Sequence, residues 1–229
     1  MAKFQLVVFD MAGTTVEDKG NVANAFIDAF HRHNIEVEKG EVKKVMGWRK
    51  IDAIKLLLER FHPQPFSPEE ELIEKIHDSF IQNMVEFYKT DPGIRPLPFA
   101  EEIFSQLKSN GIKIALNTGF TKVITDTILA RLHWNNGATK IDFVISSDEV
   151  PEGRPYPFMI ETIMRQLNIN DPHQVVKVGD TEVDILEGRN ADCGLVVSVT
   201  TGAYTREQLQ QYNPDHIIDS LSELPSLIL

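Results

Sequence analysis

Five short runs rich in β-branched and aromatic residues, at 4–9, 112–116, 143–145, 175–178 and 195–199, constrain this chain most. They are predominantly apolar, interrupted by at most one polar residue each, and do not alternate regularly with polar residues. A strand reads this way when both of its faces are buried, as in a parallel sheet covered by helices on each side. Helical patterns fill the gaps, at 99–109, 122–133, 158–167 and 183–190. The tail reads as a helix, a short strand at 216–218 and a final helix. The predicted fold is α/β, a Rossmann-like doubly wound parallel sheet. With 229 residues, 42% of them hydrophobic, the chain can bury a core of one domain or one domain plus an insert.

One interval breaks the alternation. About a hundred residues separate the first strand from the run at 112, and residues 21–89 read as wholly helical, in segments 22–32, 39–61 and 68–88. That is too long for one crossover helix. The pattern predicts an all-helical cap domain, 18–92, inserted into a Rossmann-like core formed by 1–17 and 93–229, with hinges at 17–20 and in the Pro/Gly segment 90–96. An insert placed after the first strand sits over the carboxyl end of the sheet, where a lid belongs.

Charge narrows the partners. Thirty-four acidic residues against 23 basic ones give a net charge of −11, which argues against nucleic acid or an anionic membrane as partner. It leaves room for a local basic pocket that takes a small anion. The sequence shows no bilayer-length apolar stretch and no charged-then-apolar leader pattern. The single cysteine, Cys193, reads as a small buried apolar side chain and fits a reducing compartment. A cytoplasmic protein is the expectation. The seven histidines are scattered, with no Cys/His metal spacing.

Four groups fall at or just after strand ends, where open parallel sheets bind ligands. Asp10 follows the first run, in Asp10-Met11-Ala12-Gly13-Thr14-Thr15-Val16. A carboxylate held there can act as a nucleophile. Thr118, followed by Gly119, offers a hydroxyl and nearby backbone N–H groups to an anion. Arg154, in Gly153-Arg154-Pro155-Tyr156-Pro157, offers a guanidinium for phosphoryl oxygens or a carboxylate. Asp180 and Asp184 form an acidic pair around a turn, and with Asp10 they make a hard oxygen cluster suited to Mg²⁺. Taken singly, each has a plainer reading: a turn threonine, a surface arginine, helix-capping aspartates. Their order and common placement favour one site.

In the insert, the stretch after Gly47 places Ala53, Ile54, Leu57, Leu58 and Phe61 on one arc at about 100° per residue. Lys50 falls inside that arc, whereas Arg49, Asp52, Lys55 and Glu59 fall outside it. Met46 shares its angle if the helix extends through Gly47. A lysine on an apolar face either snorkels to water or is held with a lowered pKa. A lysine at a fraying helix start is the plainer alternative.

The order Asp10…Thr118…Arg154…Asp180/Asp184, with a helical insert after the first motif, resembles the haloacid dehalogenase superfamily over nearly the whole chain. That resemblance implies Asp10 as nucleophile, the Ala12 carbonyl and Asp180 as Mg²⁺ contacts, and Asp184 holding the metal shell. Most phosphatases of the superfamily carry a second aspartate two residues after the first, as general acid/base. This chain has Ala12 there, which matches the phosphonatase branch. The segments Val150-Pro151-Glu152-Gly153-Arg154-Pro155-Tyr156-Pro157, Lys177-Val178-Gly179-Asp180-Thr181 and Met46-Gly47-Trp48-Arg49-Lys50-Ile51-Asp52 are similar to that branch as well. The resemblance implies Lys50 as a Schiff-base lysine, substrate contacts from Ala12, Met46, Gly119 and Arg154, and a homodimer paired through the inserts. The chain departs from the branch at Ala53, where phosphonatases usually carry histidine, and at Phe120, where they tend to carry tyrosine. It also looks shorter than they are, chiefly in the insert and at the C-terminus.

The missing acid has a chemical meaning. An aspartyl-phosphate enzyme must protonate a departing alkoxide, and a general acid contributes roughly 10²–10⁴-fold. Alanine supplies no proton. A phosphonate poses a different problem, because its P–C bond must leave as a carbanion. A lysine iminium on a neighbouring aldehyde accepts those electrons as an enamine. The expected function is a Mg²⁺-dependent hydrolase cleaving a small anionic phosphonate, through an aspartyl-phosphate and a lysine Schiff base. A phosphomonoester phosphatase is the alternative, and a noncatalytic binding protein of the same fold is the third.

Overall fold

The computed structural model describes residues 3–61, 70–135 and 141–229. Six parallel strands form one sheet in the order β3-β2-β1-β4-β5-β6. They are β1 (Leu6–Phe9), β2 (Lys113–Thr118), β3 (Phe143–Ser146), β4 (Val175–Gly179), β5 (Leu195–Val199) and β6 (His216–Ile218). The chain leaves β1 toward β2 and β3, then returns to β4 on the other side of β1. The strand order therefore switches direction at β1/β4, which is where a doubly wound sheet opens a crevice.

The apolar runs are buried on both faces, as their lack of alternation requires. Val7 and Phe9 of β1 enter one apolar cluster with Ile114, Leu116, Val176 and Val178. Leu6 and Val8 enter the cluster on the opposite face with Ala115, Val175 and Val196. The first face is covered by α5 (Ala100–Ser109), α6 (Lys122–Arg131) and the terminal α10 (Pro225–Ile228). The second is covered by α7 (Phe158–Gln166), α8 (Glu182–Asn190) and α9 (Arg206–Gln210). Burying a phenylalanine such as Phe9 contributes about 1.5–3 kcal/mol, and Phe9 meets Phe104 edge-on at 5.4 Å.

Between β1 and α5 lie α1 (Asn21–His31), α2 (Lys39–Lys43), α3 (Lys50–Phe61) and α4 (Glu70–Thr90). Helix α4 buries Ile73, Ile76, Phe80, Met84 and Tyr88, one stripe at helical spacing. Phe80 packs on Phe26 of α1, the ring centres 4.4 Å apart and the planes tilted by 34°. The two chain segments joining these helices to the sheet run side by side. Glu17 N donates to Arg95 O (3.2 Å) and Leu97 N to Thr15 O (2.9 Å).

The expected helix over 39–61 is broken. It forms α2 and α3, separated by turns at 44–49 in which Gly47 has φ +82°. A left-handed residue cannot continue an α-helix, so Met46 and Lys50 do not share a helix face. Pro68, at the start of the expected 68–88 helix, lies outside the described residues. No helix among the described residues is long and apolar enough to cross a membrane.

Candidate active site

Asp10 is the first residue beyond β1, and its N–H donates to Val178 O (2.9 Å), so the β1–β4 ladder fixes its backbone. Asp180 stands just past β4. Thr181 and Asp184 close the α8 N-terminus as a capping box: Thr181 N and Oγ1 donate to Asp184 Oδ2 at 3.2 and 2.6 Å. The capping role read as an alternative for Asp184 is therefore real, and it uses one oxygen. The other pairs with Arg154 (2.9 Å) and Lys177 (3.0 Å). Ligand atoms of Asp10, Asp180 and Asp184 lie within 4.8 Å of one another, all three residues buried.

A buried ionic floor supports this cluster. The Arg154 guanidinium pairs with Asp10 (2.8 Å), Asp184 (2.9 Å) and Glu187 (3.2 Å), and also donates to Asn117 O (2.6 Å) and Oδ1 (2.9 Å). Lys177 pairs with Asp184 and Glu187 and donates to Asn117 Oδ1 (2.6 Å). Asn117 Nδ2 donates in turn to both Glu187 oxygens, at 2.8 and 2.9 Å. Burial alone would raise the Asp184 carboxyl, but Arg154 and Lys177 outweigh it and hold that carboxyl below its ordinary value. Burial raises the Asp10 carboxyl, against the pull of Arg154. Asp180 accepts from Thr14 Oγ1 (3.0 Å) and Ala203 N (2.7 Å). Burial and the charges of Asp10 and Asp184 push it well above the carboxylate range. Three close carboxylates, one of them driven toward protonation, suit a hard divalent cation, whose charge would relieve the repulsion.

Facing Asp10 from the insert is Lys50, the first residue of α3 and 3% exposed. Its Nζ donates to Trp48 O (3.0 Å) and lies 5.0 Å from the Phe120 ring centre and 5.7 Å from that of Phe26. Burial lowers its pKa to about 8, with the Asp10 charge opposing that fall. Lys50 sits at a helix start, as its plainer reading had it, but the site is closed over.

Two glycines let the 44–49 turns seat on the strand ends. A Cβ on Gly119 would run into the carbonyls of Gly47 and Trp48, and one on Gly47 into the Thr181 hydroxyl. The seat is also tied from the far side, where Arg49 donates to Pro151 O (2.8 Å).

Asp10, Ala12, Met46, Lys50, Thr118, Gly119 and Asp180 all line one narrow cavity of about 20 Å³. The break in the expected helix thus does not separate Met46 from Lys50. The Thr118 hydroxyl accepts from Phe120 N (3.2 Å) within the turn that follows β2. Arg154 and Asp184 do not line the cavity. They stand behind it and reach it through Asp10. Sequence reasoning gave no role to Lys177, Asn117 or Glu187, nor to Asp18, which also lines the cavity. Glu187, one turn after Asp184 on α8, carries the one signal that was available: i,i+3 acidic residues share a helix face.

Residues 4–192 match the haloacid dehalogenase-like hydrolase family. The chain is 32% identical over 227 residues to the phosphonoacetaldehyde hydrolase of Bacillus mycoides, covering 93% of this chain and 83% of that one. A phosphonoacetaldehyde hydrolase-like protein from Oleispira antarctica superposes with a TM-score of 0.85 at 22% identity, over 98% of this chain and 91% of that one. A hydrolase from Pseudomonas syringae also gives 0.85, at 19% identity and 97% of each chain. The chain belongs to the haloacid dehalogenase-like hydrolases, and within them it is similar to the phosphonoacetaldehyde hydrolases.

Proposed function

We propose that this hydrolase cleaves the P–C bond of phosphonoacetaldehyde or a close analogue. The observation that carries the reading is Lys50: a nearly buried amine, between two aromatic rings, on the wall of the same cavity as Asp10. An amine whose pKa falls to about 8 keeps a sizeable neutral fraction near neutral pH, and only the neutral form attacks a carbonyl.

The chemistry follows from these groups. The Lys50 amine adds to the aldehyde carbon and, with loss of one water, forms an iminium. Asp10 attacks phosphorus in line. The P–C electron pair becomes a C=C bond, and the displaced C=N pair settles on nitrogen, giving an enamine. The enamine carbon takes up a proton, and water then frees acetaldehyde and the amine. A second water splits the Asp10 acyl phosphate. Arg154 holds Asp10 in position for attack, and the Thr118–Gly119 turn offers donors to the phosphoryl oxygens. Asp10, the Ala12 carbonyl and Asp180, with Asp184 in support, would hold Mg²⁺, which screens the nucleophile from an anionic substrate. The helices between residues 18 and 92 act as the cap that carries Lys50 to the site. Because water-sensitive intermediates form there, a closed cavity suits the reaction.

Phosphate-ester hydrolysis uses the same Asp10–Arg154–Thr118 frame and is the competing reading. A phosphate-release screen on phosphonoacetaldehyde beside common phosphate esters, with Mg²⁺, separates the two. The expected result is turnover of phosphonoacetaldehyde that Lys50→Arg abolishes. Ester turnover untouched by Lys50→Arg, with none of the phosphonate, would replace this reading by the other.

A further inference from the structure

Formation of an iminium requires a proton at the step where hydroxyl leaves as water. Four titratable side chains line the cavity among the described residues: Asp10, Asp18, Lys50 and Asp180. Asp10 is the attacking group, Lys50 is the amine, and Asp180 has both oxygens engaged by Thr14 and Ala203. Asp18 remains. Its Oδ1 accepts from the N–H groups of Gly20 (3.0 Å), Asn21 (2.7 Å) and Val22 (3.4 Å), which anchors the carboxyl at the start of α1. No hydrogen bond among the described residues engages Oδ2. Asp18 and Lys50 face one cavity without forming an ion pair, so both stay available to a bound carbonyl group. The same carboxyl lines an adjoining cavity with Lys19, Lys39, Lys43, Met46 and Ala203, a second opening through which it can exchange protons with water.

We propose that Asp18 is the proton carrier for imine formation and hydrolysis at Lys50, an inference that rests on the imine reading above. In the forward step the Asp18 carboxyl gives its proton to the carbinolamine hydroxyl. The C–O bond breaks, water leaves, and the nitrogen lone pair completes the C=N bond. In the return step water adds to the iminium carbon and its surplus proton goes back to the Asp18 carboxylate, so the group ends as it began. Burial raises the Asp18 carboxyl above its ordinary value, against the three N–H donors and Lys50, which favours the protonated form the forward step needs.

Asp18→Asn separates proton transfer from anchoring, because asparagine keeps an Oδ1 acceptor for the Gly20, Asn21 and Val22 N–H groups. Asp18→Ser, whose hydroxyl can accept within the same kind of turn, serves as the second variant. The measurement is the rate at which acetaldehyde and borohydride label Lys50, read by mass spectrometry, beside the kcat for phosphonoacetaldehyde. Wild type should label at Lys50. Both variants should unfold at the wild-type temperature, yet label and turn over roughly 10²–10⁴-fold more slowly, the usual worth of a positioned acid. Wild-type rates in both variants would overturn the role of Asp18 and leave the imine reading standing. Absence of label on Lys50 in the wild type would overturn both.

Discussion

Two buried cations lie near Asp10, and burial pulls both toward the neutral form, yet their pKa values shift in opposite directions. Arg154, on the sheet side, is enclosed by Asp10, Asp184 and Glu187. Burial would discharge it, but those carboxylates raise its pKa above the ordinary value, so it stays a permanent charge. Lys50, on the insert side, has aromatic rings and one carbonyl for neighbours, and burial lowers its pKa to about 8. Low dielectric alone decides nothing. The number of counter-ions in contact decides whether a buried base is an electrostatic anchor or a nucleophile.

That contrast can be broken at either end. The largest effect should come from Asp10→Asn, which removes the proposed nucleophile and keeps an isosteric side chain beside Arg154. Turnover should fall by at least about 10⁴-fold, above about 5 kcal/mol of transition-state stabilisation, in a steady-state phosphate-release assay. Next is Arg154→Met, which strips Asp10 of its ion pair and leaves Asp184 and Glu187 with Lys177 alone. Urea unfolding at pH 7 should show a loss of about 3–5 kcal/mol, the cost of stranding buried charge.

On the other side the sign reverses. Lys50 has a folded pKa of about 8 against a free value of 10.5, so the unfolded chain binds the extra proton and folding is opposed wherever Lys50 must be charged. The penalty is full below about pH 8 and fades as pH rises to about 10.5. Lys50→Met should therefore stabilise the protein by up to about 3 kcal/mol at pH 7, and the gain should shrink across that window. The same variant should lose P–C cleavage. In the wild type, kcat/KM for phosphonoacetaldehyde should rise with an apparent pKa near 8. The smallest effect is expected from Gly47→Ala. A side chain at φ +82° pressed on Thr181 should cost about 1–2 kcal/mol, and it should lower kcat by lifting the 44–49 turns and Lys50 with them.

Much of the site was readable because its residues sit at strand ends. Asp10, Thr118 and Asp180 each follow an apolar run, and a parallel sheet aligns those ends whatever the loops do. Lys50 was readable from its place on an apolar arc. Lys177 was not, because a lysine inside a run of valines looks like a flaw in a strand until Asp184, Glu187 and Asn117 surround it. The break at Gly47 was hidden for a similar reason. Gly47 is tolerable in a helix by local propensity, and only contact with Thr181 and Gly119 selects the turn. Asp18 reads as a linker residue, and nothing within a few positions of it tells that Lys50 lies across the cavity.

The order of strands and helices, the helical interruption after β1 and the carboxylates at the sheet's edge were set by the sequence alone, because hydrophobic periodicity and strand-end placement are local properties. Which cations are paired and which are left bare was decided only in three dimensions. Pairing depends on charges brought together from distant positions, and burial magnifies each such meeting into a choice between charged and neutral.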